Sequence, residues 1–171
     1  SKYIKNLNFF SFKDFGMYIW KNQNIFFSLR VVKNYDKKFT SHCHFDQISN
    51  ILFVKNKCLI SDPGTYNYSG NTILRNLFRS YQAHFTPINN SINPKKEIFS
   101  KIDYPYPKIY LLNRYCYIVK VDLEKYSYYS CFIYKNNRIN IYHINNKTKK
   151  KLEPFKYNSL GYGIINLNKT F

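Results

Sequence analysis

The stretch from Gln47 to Ser61, QISNILFVKNKCLIS, carries the clearest indication of secondary structure in this chain. It holds two runs rich in β-branched and other apolar residues, Gln47 to Val54 and Cys58 to Ser61, and such runs favour strands. Lys55-Asn56-Lys57 between them is suited to a turn, because asparagine tolerates positive φ. The stretch therefore predicts an antiparallel hairpin.

Comparable runs recur along the chain and predict an all-β fold, an antiparallel β-sandwich. Asn136-Asn137 predicts a second hairpin turn. The further strands are expected at Gly16 to Lys21, Ile25 to Val32, Lys108 to Leu112, Tyr115 to Val121, Tyr126 to Tyr134 and Ile139 to Ile144.

Two segments lack this alternation. From Asn71 to Ser80 the apolar residues stand at helical spacing, which predicts a short helix or an ordered loop. Asn89 to Pro107 is rich in Asn, Pro and Lys and predicts a long loop.

Length and composition indicate a single globular domain over residues 1–171. The chain is 44% hydrophobic and 20% aromatic, enough to build a core and too aromatic for a disordered tail. Its apolar runs fall far short of the roughly 20 residues that cross a bilayer, so no membrane span is expected. It begins at Ser1, without Met or a signal peptide, and is expected to be a piece of a longer protein, with the C-terminus also open to truncation.

The formal net charge of +18 has two interpretations. A basic protein can bind nucleic acid, but the cations are 22 Lys and 5 Arg, scattered along the chain, and nucleic-acid readers depend on Arg. The scarcity of Arg argues against nucleic acid as a partner. A solvated, compositionally biased surface and a surface that gathers an anionic ligand both stay open.

The four cysteines form no C-x-x-C pair, so a zinc ribbon or a thioredoxin motif is excluded. Disulfides are possible in an oxidising compartment, whereas a domain of this size needs none. Buried free thiols are the expectation.

The segment from His42 to Asp46 carries the first chemical signal. If it enters a strand, alternate residues share a face, so His42, His44 and Asp46 would lie side by side. Two imidazoles and a carboxylate can bind a metal, although half-buried histidines satisfied by hydrogen bonds are commoner. Asp62, in an Asp-Pro-Gly turn, and His84 enlarge the set; locally Asp62 also fits a turn-capping role.

Several motifs together resemble the C-terminal domain of the heparinase II/III family of polysaccharide lyases. The family pattern H-x-H-x-D-x-L-S is matched at 42–49, D-P-G-T-Y-x-Y at 62–68, and R-N-x-F-R-S followed by a histidine at 75–84. The entry motif Phe15-Gly16-Met17-Tyr18-Ile19 is also similar. These matches cover roughly residues 12–90.

The resemblance implies a β-sandwich behind an α/α-toroid domain that this chain lacks. Members cleave uronic-acid polysaccharides such as heparan sulfate or alginate by β-elimination. A base removes the C5 proton, the enolate is stabilised, and an acid protonates the leaving oxygen. By motif position His42 matches the active-site histidine, and His44, Asp62 and His84 match the ligands of a structural zinc. The family also implies a bacterial protein of the periplasm or cell envelope.

Other residues depart from the pattern or stay ambiguous. Phe85 replaces the asparagine that follows the last family histidine. Arg75 and Arg79 could contact substrate carboxylate or sulfate, or could be salt-bridged scaffold. His143 is expected to be exposed. Because the toroid supplies the catalytic tyrosine, this chain alone is expected to show little turnover. The alternatives are a non-catalytic module that binds anionic glycan and, less favoured, a nucleic-acid-binding protein.

Overall fold

A computed structural model describes residues 6–33, 43–67, 70–88, 106–123 and 125–146, and the backbone alone of 157–161 and 164–167. Within them the strands are β1 Asn8–Phe12, β2 Met17–Lys21, β3 Ile25–Arg30, β4 Asn50–Val54, β5 Lys57–Ile60, β6 Pro107–Leu112, β7 Cys116–Leu123, β8 Tyr126–Lys135, β9 Arg138–Asn145, β10 Tyr157–Gly161 and β11 Ile164–Leu167. A helix, α1, spans Thr72–Arg79, and a 3-10 turn spans Tyr81–Ala83.

The strands form two antiparallel meanders and a small separate pair. The first sheet has the order β1-β2-β3-β4-β5, the second has the order β6-β7-β8-β9, and β10 pairs with β11. Every described pairing is antiparallel. The predicted all-β sandwich is confirmed.

The hairpin turns follow the predicted chemistry. Lys55 and Asn56 have φ of 46° and 62°, and Asn136 and Asn137 have φ of 51° and 55°. Two consecutive residues at positive φ give a turn whose twist matches that of the flanking strands. Asparagine at three of these four positions keeps the cost of that backbone low.

Aromatic side chains from both sheets fill the space between them. Trp20 on β2 lies 5.5 Å from Tyr117 on β7 and 5.0 Å from Phe132 on β8, measured between ring centroids. Phe27 on β3 stacks on Phe132 at 4.8 Å. Alternation along β7 turns Tyr117, Val119 and Val121 inward, where none has exposed surface. Burial of these large rings holds the sheets face to face.

Some sequence expectations need correction. The predicted strand from Gln47 begins only at Asn50, and residues 43–49 form a loop rather than a strand. Strand β1 was not predicted, because its sequence NFFSF is short and follows a charged terminus. The helix expected within 71–80 is confirmed. Residues 89–105 of the predicted long loop lie outside the described residues.

The four cysteines are free, as expected, but the expected burial is wrong, because none of them is fully buried. Cys58 is exposed, and Cys43, Cys116 and Cys131 are half-buried. No helix in the described part of the chain is long and apolar enough to cross a membrane.

Candidate functional site

The loop that carries His44 is fixed at both ends. Gln47, fully buried, accepts from the Val32 N–H at 3.0 Å and donates to the Val32 carbonyl at 2.8 Å. The Phe45 N–H donates to the Arg79 carbonyl at 2.7 Å, and the Phe45 ring lies 4.8 Å from that of Tyr81. Because these contacts satisfy buried backbone groups, the loop has a defined course without strand pairing.

The turn that carries Asp62 is built by its own carboxylate. Asp62 Oδ1 accepts from the Gly64 N–H at 2.9 Å, and Gly64 has a φ of 73°. Such an Asx-turn is the local role expected of aspartate ahead of Pro-Gly. Further on, the Tyr66 ring lies 5.7 Å from that of Phe78 on α1, so the turn packs against the helix.

Helix α1 brings His84 to the same place. Its first turn is capped by Asn71, whose side chain accepts from the Leu74 N–H at 3.0 Å. It ends at Ser80, whose N–H and hydroxyl both bond to the Leu77 carbonyl, at 3.2 and 2.7 Å. The 3-10 turn after Ser80 then reverses the chain toward the His44 loop.

Three of the predicted site residues meet at this point. His84 Nδ1 lies 2.9 Å from Asp62 Oδ2, and the rings of His84 and His44 are 5.3 Å apart between centroids. His44 Nε2 lies 3.4 Å from the Thr65 hydroxyl. The His84 side chain is 1% exposed and that of Asp62 is 39% exposed, so the group opens to solvent on the side of the carboxylate.

The electrostatics favour a neutral His44 beside an ionised Asp62. Burial, with the charge of His84 second, lowers the pKa of His44 to about 3. Burial alone would raise the pKa of Asp62, but the hydrogen bond and charge of His84 and the N–H of Gly64 together hold it below its usual value. A neutral imidazole and a carboxylate are the protonation states that bind a metal ion.

His84 Nε2 is buried and finds no hydrogen-bond partner among the residues that the structure describes. A buried polar atom of this kind normally has a partner. The described residues do not, however, include three His, Cys, Asp or Glu side chains grouped so as to hold a metal ion. Two imidazoles and a carboxylate suit zinc in their chemistry: His84 and Asp62 are in contact, and the His44 imidazole lies beside them.

The remaining predicted residues have other surroundings. Asp46 forms an ion pair with Arg30 at 2.6 Å between Oδ2 and Nε, so it does not face His44 across a strand. His42 lies outside the described residues, and its role stays a prediction.

Arg75 and Arg79 are each 1% exposed. Arg79 Nε donates to the Cys43 carbonyl at 3.0 Å. This burial supports the scaffold interpretation of the two arginines, and contact with a glycan stays a prediction.

His143 is not exposed. It is half-buried on the inner face of β9, its Nε2 lies 2.9 Å from Asn50 Oδ1, and its ring is 4.7 Å from that of Phe85. The sequence did indicate this position, because alternation along β9 places residues 139, 141 and 143 on one face.

Residues 4–87 match the family model described as Heparinase II/III-like, C-terminal. Residues 4–87 are heparinase II/III-like. The match includes His44, Asp62 and His84 and ends at residue 87, three residues after His84. A comparison with curated protein sequences found no match.

Solved structures similar to this chain include a heparinase III and the heparan sulfate lyase HepC from Pedobacter heparinus. The first has 17% identity and the second 15%, each with a TM-score of 0.58 over 80% of this chain and 22% of the other. A further heparinase III structure has 14% identity and the same TM-score over 78% of this chain and 21% of the other. At such identities the likeness shows the fold. The chain spans about one fifth of the length of these proteins.

Proposed function

We propose that this domain belongs to a polysaccharide lyase that cleaves a uronic-acid polysaccharide, heparan sulfate-like or alginate-like, by β-elimination. The observation that carries the proposal is the meeting of His44, Asp62 and His84. These residues come from three separate motifs of the matched family segment, and two of them are in contact at 2.9 Å. Their convergence on one group that is partly open to solvent supports the proposal.

His44, Asp62 and His84 are proposed to hold a structural zinc. A neutral His44, an ionised Asp62 and a buried His84 Nε2 that has no hydrogen-bond partner within the described ranges support this assignment. The zinc would neutralise the carboxylate and cross-link the loop, the turn and the helix end. The proposed role of the zinc is structural and includes no step of the reaction.

His42 is proposed as the residue of this chain that acts on the glycan, since it stands two positions before His44 in the family motif. The C5 proton of a uronate is acidic because the adjacent carboxylate delocalises the developing charge, and a histidine can stabilise that charge or transfer a proton. The catalytic tyrosine would come from a toroid domain outside this sequence. We also propose a bacterial protein of the periplasm or cell envelope, on the family resemblance alone.

Metal analysis tests the zinc site directly. The full chain, purified without chelator, is expected to hold zinc in a 1:1 ratio, and His44→Ala and Asp62→Ala are each expected to lose it. Asp122→Ala is the matched control. The Asp122 carboxylate pairs with the Lys120 ammonium at 2.7 Å and lies on β7, outside the three segments that carry the proposed ligands. Stoichiometric zinc in both site variants would overturn the ligand assignment.

A lyase assay tests the reaction class by the ultraviolet absorbance of the unsaturated product. The chain alone is expected to show no turnover of heparan sulfate or alginate, and addition of a toroid domain from the parent polypeptide is expected to produce it. Robust turnover by the chain alone would contradict the requirement for that domain. A non-catalytic glycan-binding module, favoured only by the net charge of +18, predicts retained oligouronate binding with no activity in the full parent.

A further inference from the structure

Asn50, the first residue of β4, forms the centre of a buried polar cluster between the two sheets. Its Nδ2 donates to the Ser28 carbonyl at 3.2 Å and to the Tyr117 hydroxyl at 2.8 Å. Its Oδ1 lies 3.2 Å from the Ser130 hydroxyl and 2.9 Å from His143 Nε2. Tyr117 and Ser130 bond to each other at 2.9 Å and have no exposed surface. One side chain of the first sheet therefore contacts three strands of the second.

The contacts fix the protonation of this cluster. A backbone carbonyl can only accept, so the contact with Ser28 requires the NH₂ group of Asn50 on that side. The Oδ1 on the other side must then receive a proton from His143, which makes Nε2–H the donor. The Nδ1 of His143 is buried without a partner among the described residues and carries only a lone pair in this tautomer.

The same two residues hold the segment that carries His84. The Asn50 backbone N–H donates to the Phe85 carbonyl at 3.1 Å, and the His143 ring packs on the Phe85 ring at 4.7 Å. Two other residues hold the segment just after Phe85. The Thr86 hydroxyl donates to the Gln47 carbonyl at 2.9 Å, and Asn145 Nδ2 donates to the Pro87 carbonyl at 3.4 Å.

We infer that His143 is a positioning residue for His84: from the second sheet, it holds Asn50 and Phe85 and so sets where the His84 imidazole stands. His143 lies outside the matched family segment, which ends at residue 87. The inference rests on the proposed metal site only where it predicts a change in zinc affinity. The placement of the ring is independent of zinc.

The test compares His143→Leu with His143→Gln in the full chain. Glutamine can donate to Asn50 from nearly the position of Nε2, whereas leucine keeps the packing volume and donates nothing. Ser130→Ala is the matched control, because it removes a hydroxyl of the same cluster that does not contact Phe85. The measurements are the ring ¹H–¹⁵N NMR signals of His84 without metal, zinc affinity by competition with a chelator, and urea unfolding.

We expect His143→Leu to shift the His84 ring signals and to weaken zinc binding about tenfold, the lower end for groups that orient metal ligands. His143→Gln is expected to restore both, and Ser130→Ala to change neither while it lowers stability. Unchanged His84 signals in His143→Leu, or an equal shift in Ser130→Ala, would overturn the inference. If His143→Leu does not fold, Phe85→Leu takes its place in the same measurements and is judged by the same criteria. A wild-type chain that binds no zinc refutes the metal site, and the metal-free signals still decide the positioning role.

Discussion

The guanidinium of Arg79 donates from Nε to the Cys43 carbonyl at 3.0 Å, and the Arg79 carbonyl accepts from the Phe45 N–H at 2.7 Å. One residue of α1 thus bonds the loop on both sides of His44. Since Arg79 is also buried, the helix and the loop form a single structural unit around the proposed ligand.

Arg79→Leu is expected to lower the free energy of unfolding by about 2 kcal/mol, the cost of losing a buried hydrogen bond from a charged donor. Urea unfolding monitored by circular dichroism measures it. Arg138→Leu is the matched control, because Arg138 is exposed at the start of β9, and its effect is expected to stay within about 0.5 kcal/mol. Equal losses in the two variants would show that the Arg79 contact adds no stability.

Asp62→Asn separates the two roles of this carboxylate. Asparagine keeps an oxygen for the Gly64 N–H, so the turn is expected to persist. The metal-free protein is expected to lose no more than about 1 kcal/mol of stability, the cost of weakening the contact between Asp62 and His84. The negative charge is lost, and zinc affinity is expected to fall by more than about a hundredfold, beyond the range for groups that only orient ligands. Isothermal titration measures the affinity. A variant that unfolds early but keeps zinc would reverse this assignment.

Gly16→Ala is expected to destabilise the fold by at least about 1–2 kcal/mol, the cost of a left-handed backbone for an L-residue. Gly16 has a φ of 69°, and an added Cβ would lie 2.7 Å from the Val31 carbonyl oxygen and 2.8 Å from Val32 Cα. Gly70→Ala is the matched control, since its Cβ would meet nothing closer than 3.5 Å, from Asn67 Nδ2. Thermal unfolding of the pair measures the difference, and equal melting temperatures would contradict the steric argument.

His143 is expected to make stability depend on pH. Burial lowers its pKa to about 4, whereas the unfolded chain has a histidine pKa of about 6.5. The unfolded state therefore takes up the proton first as the pH falls. The contribution of neutral His143 to the free energy of unfolding is therefore complete above about pH 6.5 and declines as the pH falls toward about 4. It amounts to at most about 3 kcal/mol.

The measurement is urea unfolding at pH 7.5, 6, 5 and 4 for the wild type and for His143→Gln, which cannot titrate. The difference between the two proteins removes the contribution of the other acids and histidines. The free energy of unfolding of the wild type relative to that of the variant is expected to fall below pH 6.5. A constant difference over this range would show that His143 keeps its ordinary pKa in the folded chain.

The sequence predicted the architecture because alternation and turn chemistry are local. The runs flanking Lys55-Asn56 and Asn136-Asn137 became paired strands, and the apolar spacing in 71–80 became α1. The boundary at Asn50 was missed because Gln47-Ile48-Ser49 runs directly into the apolar residues 51–54, with no Gly or Pro to mark a break. The backbone of residues 47–49 bonds instead to other partners, among them the Arg30 carbonyl, which receives the Ile48 N–H at 2.9 Å.

The site was predictable only in part, for a related reason. The motifs selected His44, Asp62 and His84, and the fold brings them together. The ion pair of Asp46 with Arg30 and the contact of His143 with Phe85 join residues 16 and 58 positions apart, which no local pattern encodes. The burial of Arg75 and Arg79 likewise depends on which face of α1 turns inward.

Trp20, the chain's single tryptophan, has no exposed surface and contacts rings of both sheets, while its indole N–H donates to the Asn113 carbonyl at 3.1 Å. Intrinsic fluorescence excited at the indole band will therefore come from one dry site between the sheets. Its emission should be blue-shifted in the native protein and move to the red only when the sheets separate. The chain thus contains a built-in optical probe of sandwich opening, one that also reports on β1, since the Phe9 ring packs 4.9 Å from that of Trp20.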